Sequence, residues 1–315
     1  MTQAPIPTED TVRRLVGSLL PRGTAPDVAP AAEGAGRATW WVGARHVLRL
    51  ATDRDTAARR RREPRLRDLV RAHVPVAVPV TVAHGEWAPG LTYTLDARLP
   101  GGSAEDHSVS AVGEADLAAL LTGLREVPPR QAESLGVPRA PARSLEALRG
   151  SAGTAARRLA VADEFDPARL AQLTGAATAQ LGVAPGTVAL VHHTLADDHL
   201  VVAADGRVRG VLGWADAVLG DPAEDIAGLA LAVGSPAAVR AATLAGYGAR
   251  PCLRGLWLAR CDAVAHLARA LAGQDPAPPP LPVLRARLRR AWEAILLERV
   301  TELRGDGGDD DTAPW

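Results

Sequence analysis

The spacing of apolar residues divides the chain into a strand-rich first third and a helical remainder. Near the start, Thr8 precedes apolar residues at helical spacing, which predicts a helix capped by Thr8. Short strands are then expected within 27–50, followed by strands over 75–83 and 91–99. Beyond residue 100 the period becomes helical, and helices are predicted around 117–124 and over 145–161, 167–181, 222–233, 235–247, 253–271 and 284–303.

The stretch from 190 to 225 carries the clearest local pattern. An apolar strand ends at His192, and strands over 200–203 and 208–214 flank Asp205-Gly206, a typical hairpin turn. Asp221, with Pro at the next position and Glu three residues later, then predicts the start of a helix. The stretch is therefore expected to form a loop, a hairpin and a helix.

In order and spacing this stretch resembles the catalytic and metal-binding segment of the aminoglycoside phosphotransferase family. That family has a His-Gly-Asp-Leu-His-Pro-x-Asn loop, a strand pair ending in Ile-Asp-Trp, and then Gly-Asp-Pro. The chain shares the residues that frame this motif, namely His192, Leu195, Trp214, 220–222 and Asp225, while His199 matches the macrolide phosphotransferase branch. The resemblance implies an α+β, two-lobed protein-kinase-like fold with a strand-rich lobe over 1–99 and a mostly helical lobe over 100–304. The tail over 305–315 is acidic and Gly-rich, so it is expected to be disordered.

The chain departs from the family at the positions that carry the chemistry. Thr194 stands where the resemblance places the catalytic Asp, His193 replaces the neighbouring Gly, and Gly213 replaces the metal-binding Asp. Phosphoryl transfer needs a carboxylate near the acceptor hydroxyl and metal ions on the phosphates. A Thr hydroxyl supplies neither, and His199 alone would hold Mg²⁺ poorly because this ion prefers oxygen ligands.

The resemblance also implies nucleotide-binding positions in the first third of the chain. Gly34 and Gly36 fall in the loop that would cover the phosphates of ATP or GTP, and Arg49 takes the place of the phosphate-binding basic residue. Glu63 would be its acidic partner, although Pro64 predicts that the helix breaks there. Backbone groups near 96–98 would bind the base. The chain contains neither Lys nor Asn, so Arg must supply any such cation.

Composition and charge restrict the partners of the protein. The 36 basic and 36 acidic residues leave no net charge, which argues against nucleic acid or an anionic membrane as a partner. A small-molecule ligand is what the resemblance implies. The first residues lack the pattern of a secretion signal, and no apolar run approaches a membrane span, so a cytoplasmic location is expected. Cys252 and Cys261 are expected to be buried thiols.

Three hypotheses about function follow. The leading one is a catalytically degenerate relative of the antibiotic kinases that binds a nucleotide or small molecule in the cleft, with Mg²⁺ binding in doubt. The second is an active small-molecule O-phosphotransferase whose carboxylates are relocated to Asp197 or Asp198 and to Asp216, the last as a metal ligand with His199. The third is metal-free chemistry with His192 or His193 as general base.

Overall fold

A computed structural model describes residues 6–20, 26–31, 38–183, 188–275 and 278–295. Gly34, Gly36 and the tail over 305–315 lie outside these residues. Within them, the first third forms a five-stranded antiparallel sheet in the order β1-β2-β3-β5-β4. Its elements are α1 (Glu9–Leu19), β1 (Val28–Pro30), β2 (Thr39–Val42), β3 (His46–Leu50), α2 (Arg54–Arg71), β4 (Thr81–Ala88) and β5 (Leu91–Ala97).

Alternation along the strands gives this sheet two different faces. On one face, Trp40 and Leu48 pack with Val12 and Val16 of α1 in a separate apolar core. On the other face, Trp41 pairs with Val47, and Val47 pairs in turn with Asp96 on β5. This second face is the one that forms part of the cleft described below.

Helix α2 runs through Pro64 without a break, so the predicted break is wrong. An internal Pro removes one helical hydrogen bond at a cost of about 3 kcal/mol. Burial holds both halves of the helix in place, with Ala57 and Glu63 before the Pro packed on the sheet and Leu66 and Val70 after it packed in the main core. Helix α1 has its predicted cap, since the Thr8 side chain accepts the N–H of Thr11.

The remainder of the described chain is mainly helical, with two small sheets, β6-β8-β9 and β7-β10, that shape the loop region. Its strands are β6 (Gly102–Ser103), β7 (Ala189–Val191), β8 (Leu200–Val202), β9 (Val208–Val211) and β10 (Val218–Gly220). Its helices are α3 (Ala111–Glu126), α4 (Pro129–Ser134), α5 (Leu145–Val161), α6 (Gly175–Gln180), α7 (Ala223–Val233), α8 (Ser235–Leu244), α9 (Ala249–Leu271) and α10 (Leu281–Ala291).

The predicted helices over 145–161 and 222–233 and the hairpin around Asp205-Gly206 are confirmed, and the predicted strand over 208–214 ends early. The helix predicted over 167–181 is instead a 3₁₀ turn and a short α6, because Thr174 caps a new helix with its side chain. The strand predicted over 75–83 is shifted to β4, which starts at Thr81. Pro75 and Pro79 lack the N–H groups that a ladder requires.

The main core joins α2 and α3 to the helices of the second half. Cys252 and Cys261 are both buried and free, as expected. No helix among the described residues is both long enough and apolar enough to cross a membrane. The strand-rich sheet followed by a helical remainder agrees with the α+β, two-lobed architecture.

Candidate functional site

A cleft with a volume of about 750 Å³ lies between the sheet and the helical part of the chain. One wall is the polar face of the sheet, and the opposite wall is the loop that follows β7. The lining residues that matter here are Thr39, Trp41, Val47, Arg49, Arg67 and Asp96 from the first wall, Arg98 and Leu99 from the connection, and Glu105, Asp198, His199 and Gly213 from the second.

Two arginines and two carboxylates form a closed, buried cluster at the sheet wall, here called the arginine–carboxylate ring. Arg49 Nη2 donates to Glu63 Oε1 at 3.0 Å and to Asp96 Oδ2 at 2.8 Å. Arg67 Nη1 donates to Asp96 Oδ1 at 2.8 Å, and Arg67 Nη2 donates to Glu63 Oε1. The structure thus brings the predicted pair Arg49 and Glu63 together, with a second acid and a second base added.

Asp96 and Arg67 are site residues that sequence reasoning missed. Asp96 is the one charged residue of β5, and it also accepts from the hydroxyl of Thr81 at 2.8 Å. Arg67 follows Glu63 by four residues and therefore shares its helix face. Burial raises the pKa of Glu63, and the neighbouring Arg49 counteracts this. Glu63 Oε2 is buried with no hydrogen-bond partner among the described residues.

The connection after β5 offers fewer backbone donors to a base than the sequence suggests. The N–H of Ala97 donates to the carbonyl of Val80 at 2.8 Å, and the N–H of Arg98 donates to the carbonyl of Arg45 at 2.9 Å. The guanidinium of Arg98 lies 4.4 Å from the ring centroid of Trp41. A base entering here would meet an aromatic ring and a cation, while the backbone N–H groups of Ala97 and Arg98, within the segment expected to bind it, already donate to other carbonyls.

The loop after β7 keeps the anchors that shape it. Both carboxylate oxygens of Asp225 accept backbone N–H groups at 2.8 Å, one from His192 and one from His193. His193 has φ of +73°, a left-handed conformation in which the family's Gly would be unstrained. Burial raises the pKa of Asp225 to about 7, opposed by these two hydrogen bonds. Asp221 pairs with the buried Arg254, its Oδ2 accepting from Nε at 2.6 Å.

His192 is fully buried and serves the loop as a structural residue. Its Nε2 lies 2.7 Å from the carbonyl of Leu212, so this nitrogen must carry the proton, and its ring contacts Trp214 edge-on at 4.6 Å. Burial lowers the pKa of His192 to about 3. Nδ1 then accepts, and the Thr194 hydroxyl lies 3.5 Å away. A base with so low a pKa has little driving force to remove a proton from a hydroxyl group.

At position 213, where the resemblance places the metal-binding carboxylate, a side chain would meet both backbone strain and the ring of His199. Gly213 has φ of +81°, and a Cβ added there would lie 2.6 Å from Nε2 of His199. The ring of His199 is in turn held by a hydrogen bond between Nδ1 and the carbonyl of Thr194. His199 therefore occupies the space into which an Asp at 213 would project.

Two of the three carboxylates considered for relocation are engaged away from the cleft. Asp197 is fully buried and paired with Arg287 and Arg290 of α10, whereas the half-exposed Asp216 pairs with Arg59 of α2 at 3.0 Å. Asp198 is exposed and lines the cleft. Of these three acids, only Asp198 is placed to meet a ligand there.

The donor set does not fit Mg²⁺. Among the described residues, no three His, Cys, Asp or Glu side chains lie close enough to hold a metal ion. His199 and Asp216, the predicted ligands, do not converge, because Asp216 is turned to Arg59 and Gly213 has no side chain. These side chains therefore do not form a Mg²⁺ site.

Comparison with known proteins identifies the lineage. The model of the phosphotransferase enzyme family (APH) matches residues 27–256, which is well over half of the chain. Among curated proteins, no sequence match is significant.

Solved structures show the same fold. A GDP complex of aminoglycoside 2'-phosphotransferase-IIIa is 17% identical with a TM-score of 0.66, over 90% of this chain and 97% of that one. Macrolide 2'-phosphotransferase MphH from Brachybacterium faecium is 22% identical with a TM-score of 0.60, over 91% and 99%. A streptomycin–ATP complex of APH(2")-IIa is 12% identical with a TM-score of 0.57, over 86% and 95%.

Proposed function

The chain belongs to the phosphotransferase enzyme family, and we propose that it is a catalytically degenerate member that binds a nucleotide or another small molecule in the interlobe cleft. The observation that carries this proposal is the pair Thr194 and Gly213. The first has no carboxylate, and the second cannot gain one without strain and contact with His199. Efficient phosphoryl transfer needs both carboxylate functions.

The retained scaffold supports binding in the cleft. Asp225 holds the loop backbone, and the arginine–carboxylate ring holds α2 against the sheet. Similar solved structures are complexes of those proteins with GDP, with ATP and with aminoglycosides such as kanamycin. A nucleoside diphosphate or triphosphate is therefore the first ligand to test here, with ATP and GTP on an equal footing.

The position of Asp198 favours a second candidate function, an active phosphotransferase with a relocated carboxylate. Asp198 lines the cleft on the side opposite the ring, at four residues from Thr194. A carboxylate base must reach within about 3 Å of the acceptor hydroxyl, directly or through one water. Residual phosphotransferase activity, where present, would then depend on Asp198.

A cytoplasmic location and the lobe boundary at residue 99 remain predictions.

The test is calorimetric titration of the purified protein with ATP and GTP, each with and without Mg²⁺, followed by a phosphorylation assay against kanamycin and a macrolide. We expect nucleotide binding that does not require Mg²⁺ and no measurable transfer. Transfer that depends on Mg²⁺ and is lost in Asp198→Ala would replace the proposal by the enzyme alternative. Asp106→Ala, which removes another loop acid, serves as its matched control.

A further inference from the structure

Arg60 on α2 has no hydrogen bond or ion pair with any described residue, and its Nη1 is buried from solvent. Three other arginines of the same helix are engaged. Arg59 pairs with Asp216, Arg62 donates to the carbonyls of Gly136 and Ala215, and Arg67 belongs to the arginine–carboxylate ring. A guanidinium that is partly desolvated and unpaired is costly, so Arg60 calls for an explanation.

The position of Arg60 follows from the helix. It precedes Glu63 by three residues, so the two side chains share one face of α2. Glu63 contacts Arg49, which lines the cleft, and α2 also packs on the segment 214–216 that directly follows Gly213. Arg60 thus lies beside Arg49, near the place where the family's metal-binding carboxylate is missing.

Electrostatics agree with this placement. Burial, followed by repulsion from Arg49, lowers the pKa of Arg60 to about 10, which still leaves it charged at neutral pH. The ring and Arg60 together comprise three guanidinium groups and only two carboxylates, so one positive charge is not compensated. An anion bound next to Arg49 and Arg60 would relieve the repulsion and satisfy the buried donor.

We propose that Arg60, together with Arg49, binds the phosphate groups of a nucleotide or another phosphorylated small molecule without a divalent metal ion. This inference rests on the proposed binding function and adds the ligand class and the residue that replaces the metal charge. Arg suits this role because its planar fork donates two parallel hydrogen bonds to phosphate oxygens. Because Arg60 is unpaired without a ligand, we expect it to lower the stability of the ligand-free protein.

The experiment compares the wild-type chain with Arg60→Met and with the matched control Arg65→Met, an exposed arginine on the same helix. Calorimetry in the presence of EDTA measures binding of ADP, GDP and inorganic pyrophosphate, and urea denaturation measures the stability of each free protein. For each of these compounds that binds the wild type, we expect Arg60→Met to lower the affinity tenfold or more. Arg65→Met should leave the affinity within twofold. Arg60→Lys should restore part of the affinity.

Stability separates a ligand-binding role from a structural one. Removal of an unpaired buried cation should leave free Arg60→Met at least as stable as the wild type, while a structural arginine would lose stability on the same change. Unchanged affinity in Arg60→Met, or binding by the wild type only with Mg²⁺, overturns the inference and leaves ligand binding in the cleft standing. Absence of any nucleotide or pyrophosphate binding by the wild type overturns both the inference and nucleotide binding as the proposed function.

Discussion

The two walls of the cleft have diverged in opposite directions. At the sheet wall, Arg49 has two carboxylate partners, Glu63 and Asp96, and Arg67 closes the arginine–carboxylate ring. At the loop wall, Thr194 and Gly213 stand at the positions where the resemblance places the catalytic and the metal-binding carboxylate. The sheet wall has one acid and one base more than the Arg49–Glu63 pair that the resemblance implies, whereas the loop wall lacks the two carboxylates that it implies.

The difference separates what shapes the site from what would react in it. The loop retains Asp225 on its backbone, Asp221 on Arg254 and Trp214 against His192, and all of these contacts are buried. Such residues contribute to folding whether or not chemistry occurs. None of these contacts uses a side chain at position 194 or 213, so the loop conformation does not depend on a carboxylate at either position.

The largest effect is expected from opening the ring. Arg67→Leu leaves Glu63 and Asp96 buried with fewer partners, and removal of one member of a buried ion pair costs about 3–5 kcal/mol. The free energy of unfolding from urea denaturation measures this loss. The exposed Arg65→Leu is the control and should change stability by less than about 0.5 kcal/mol. A loss below about 1 kcal/mol for Arg67→Leu would show that the ring holds α2 only weakly.

The loop wall makes a prediction about pH. The pKa of Asp225 is raised from 3.8 to about 7, so between these values the folded state keeps a proton that the unfolded state releases, and stability falls as pH rises. The pKa of His192 is lowered from 6.5 to about 3, so the unfolded state binds a proton that the folded state does not, and stability rises with pH. Between about pH 4 and 6.5 the two contributions oppose each other.

Asp225→Asn removes the first contribution. Its unfolding free energy should rise from pH 4 to 6.5 by at most about 1.4 kcal/mol per pH unit, with the slope and not the absolute level as the readout. His192→Gln should show the opposite slope, because only the contribution of Asp225 remains. Parallel pH profiles for the two variants would contradict the assignment of these pKa shifts.

Two glycines with similar positive φ, Gly213 and Gly136, separate the effect of the His199 contact at position 213 from the effect of backbone strain. Gly213→Ala and Gly136→Ala both place Cβ on a residue with positive φ, at +81° and +85°. An added Cβ at Gly136 meets nothing within 4 Å, so backbone strain of about 1 kcal/mol is expected there. Gly213→Ala should lose about 2–3 kcal/mol because Cβ also meets His199.

Thermal or urea denaturation of both alanine variants measures the difference. Addition of His199→Ala to Gly213→Ala should reduce the loss toward that of Gly136→Ala, since the ring is then gone. Equal losses for the two single variants would mean that His199 moves aside freely. In that case the fold would tolerate a carboxylate introduced at position 213 by Gly213→Asp.

The smallest effect is expected at Asp216. Its ion pair with Arg59 is largely exposed, and exposed pairs contribute about 0–1 kcal/mol. Asp216→Ala should therefore change stability by no more than that and leave nucleotide affinity within twofold, as measured by denaturation and calorimetry. A tenfold loss of Mg²⁺-dependent binding would instead identify Asp216 as a relocated metal ligand.

Much of the site could be predicted because its signals are local. The Asp205-Gly206 turn, the Asp221 cap and the position of Arg49 depend on neighbours in sequence, and the structure has each of them in place. Asp96 was missed because its contacts with Arg49 and Arg67 join residues 47 and 29 positions apart. The roles of Arg49, Glu63, Thr194 and His199 in binding or catalysis stay predictions, and Gly34 and Gly36 lie outside the described residues.

The sequence by itself determined most of the helices and strands and their order along the chain, since periodicity is a local property. It also has Thr194 and Gly213 at the positions where the resemblance places carboxylates. Only the tertiary structure decided that α2 continues through Pro64, that Asp197 and Asp216 are held by arginines, and that His199 fills the space at Gly213. These outcomes depend on packing and charge pairing between segments distant in sequence, and such contacts override local preference when their free energy exceeds its few kcal/mol.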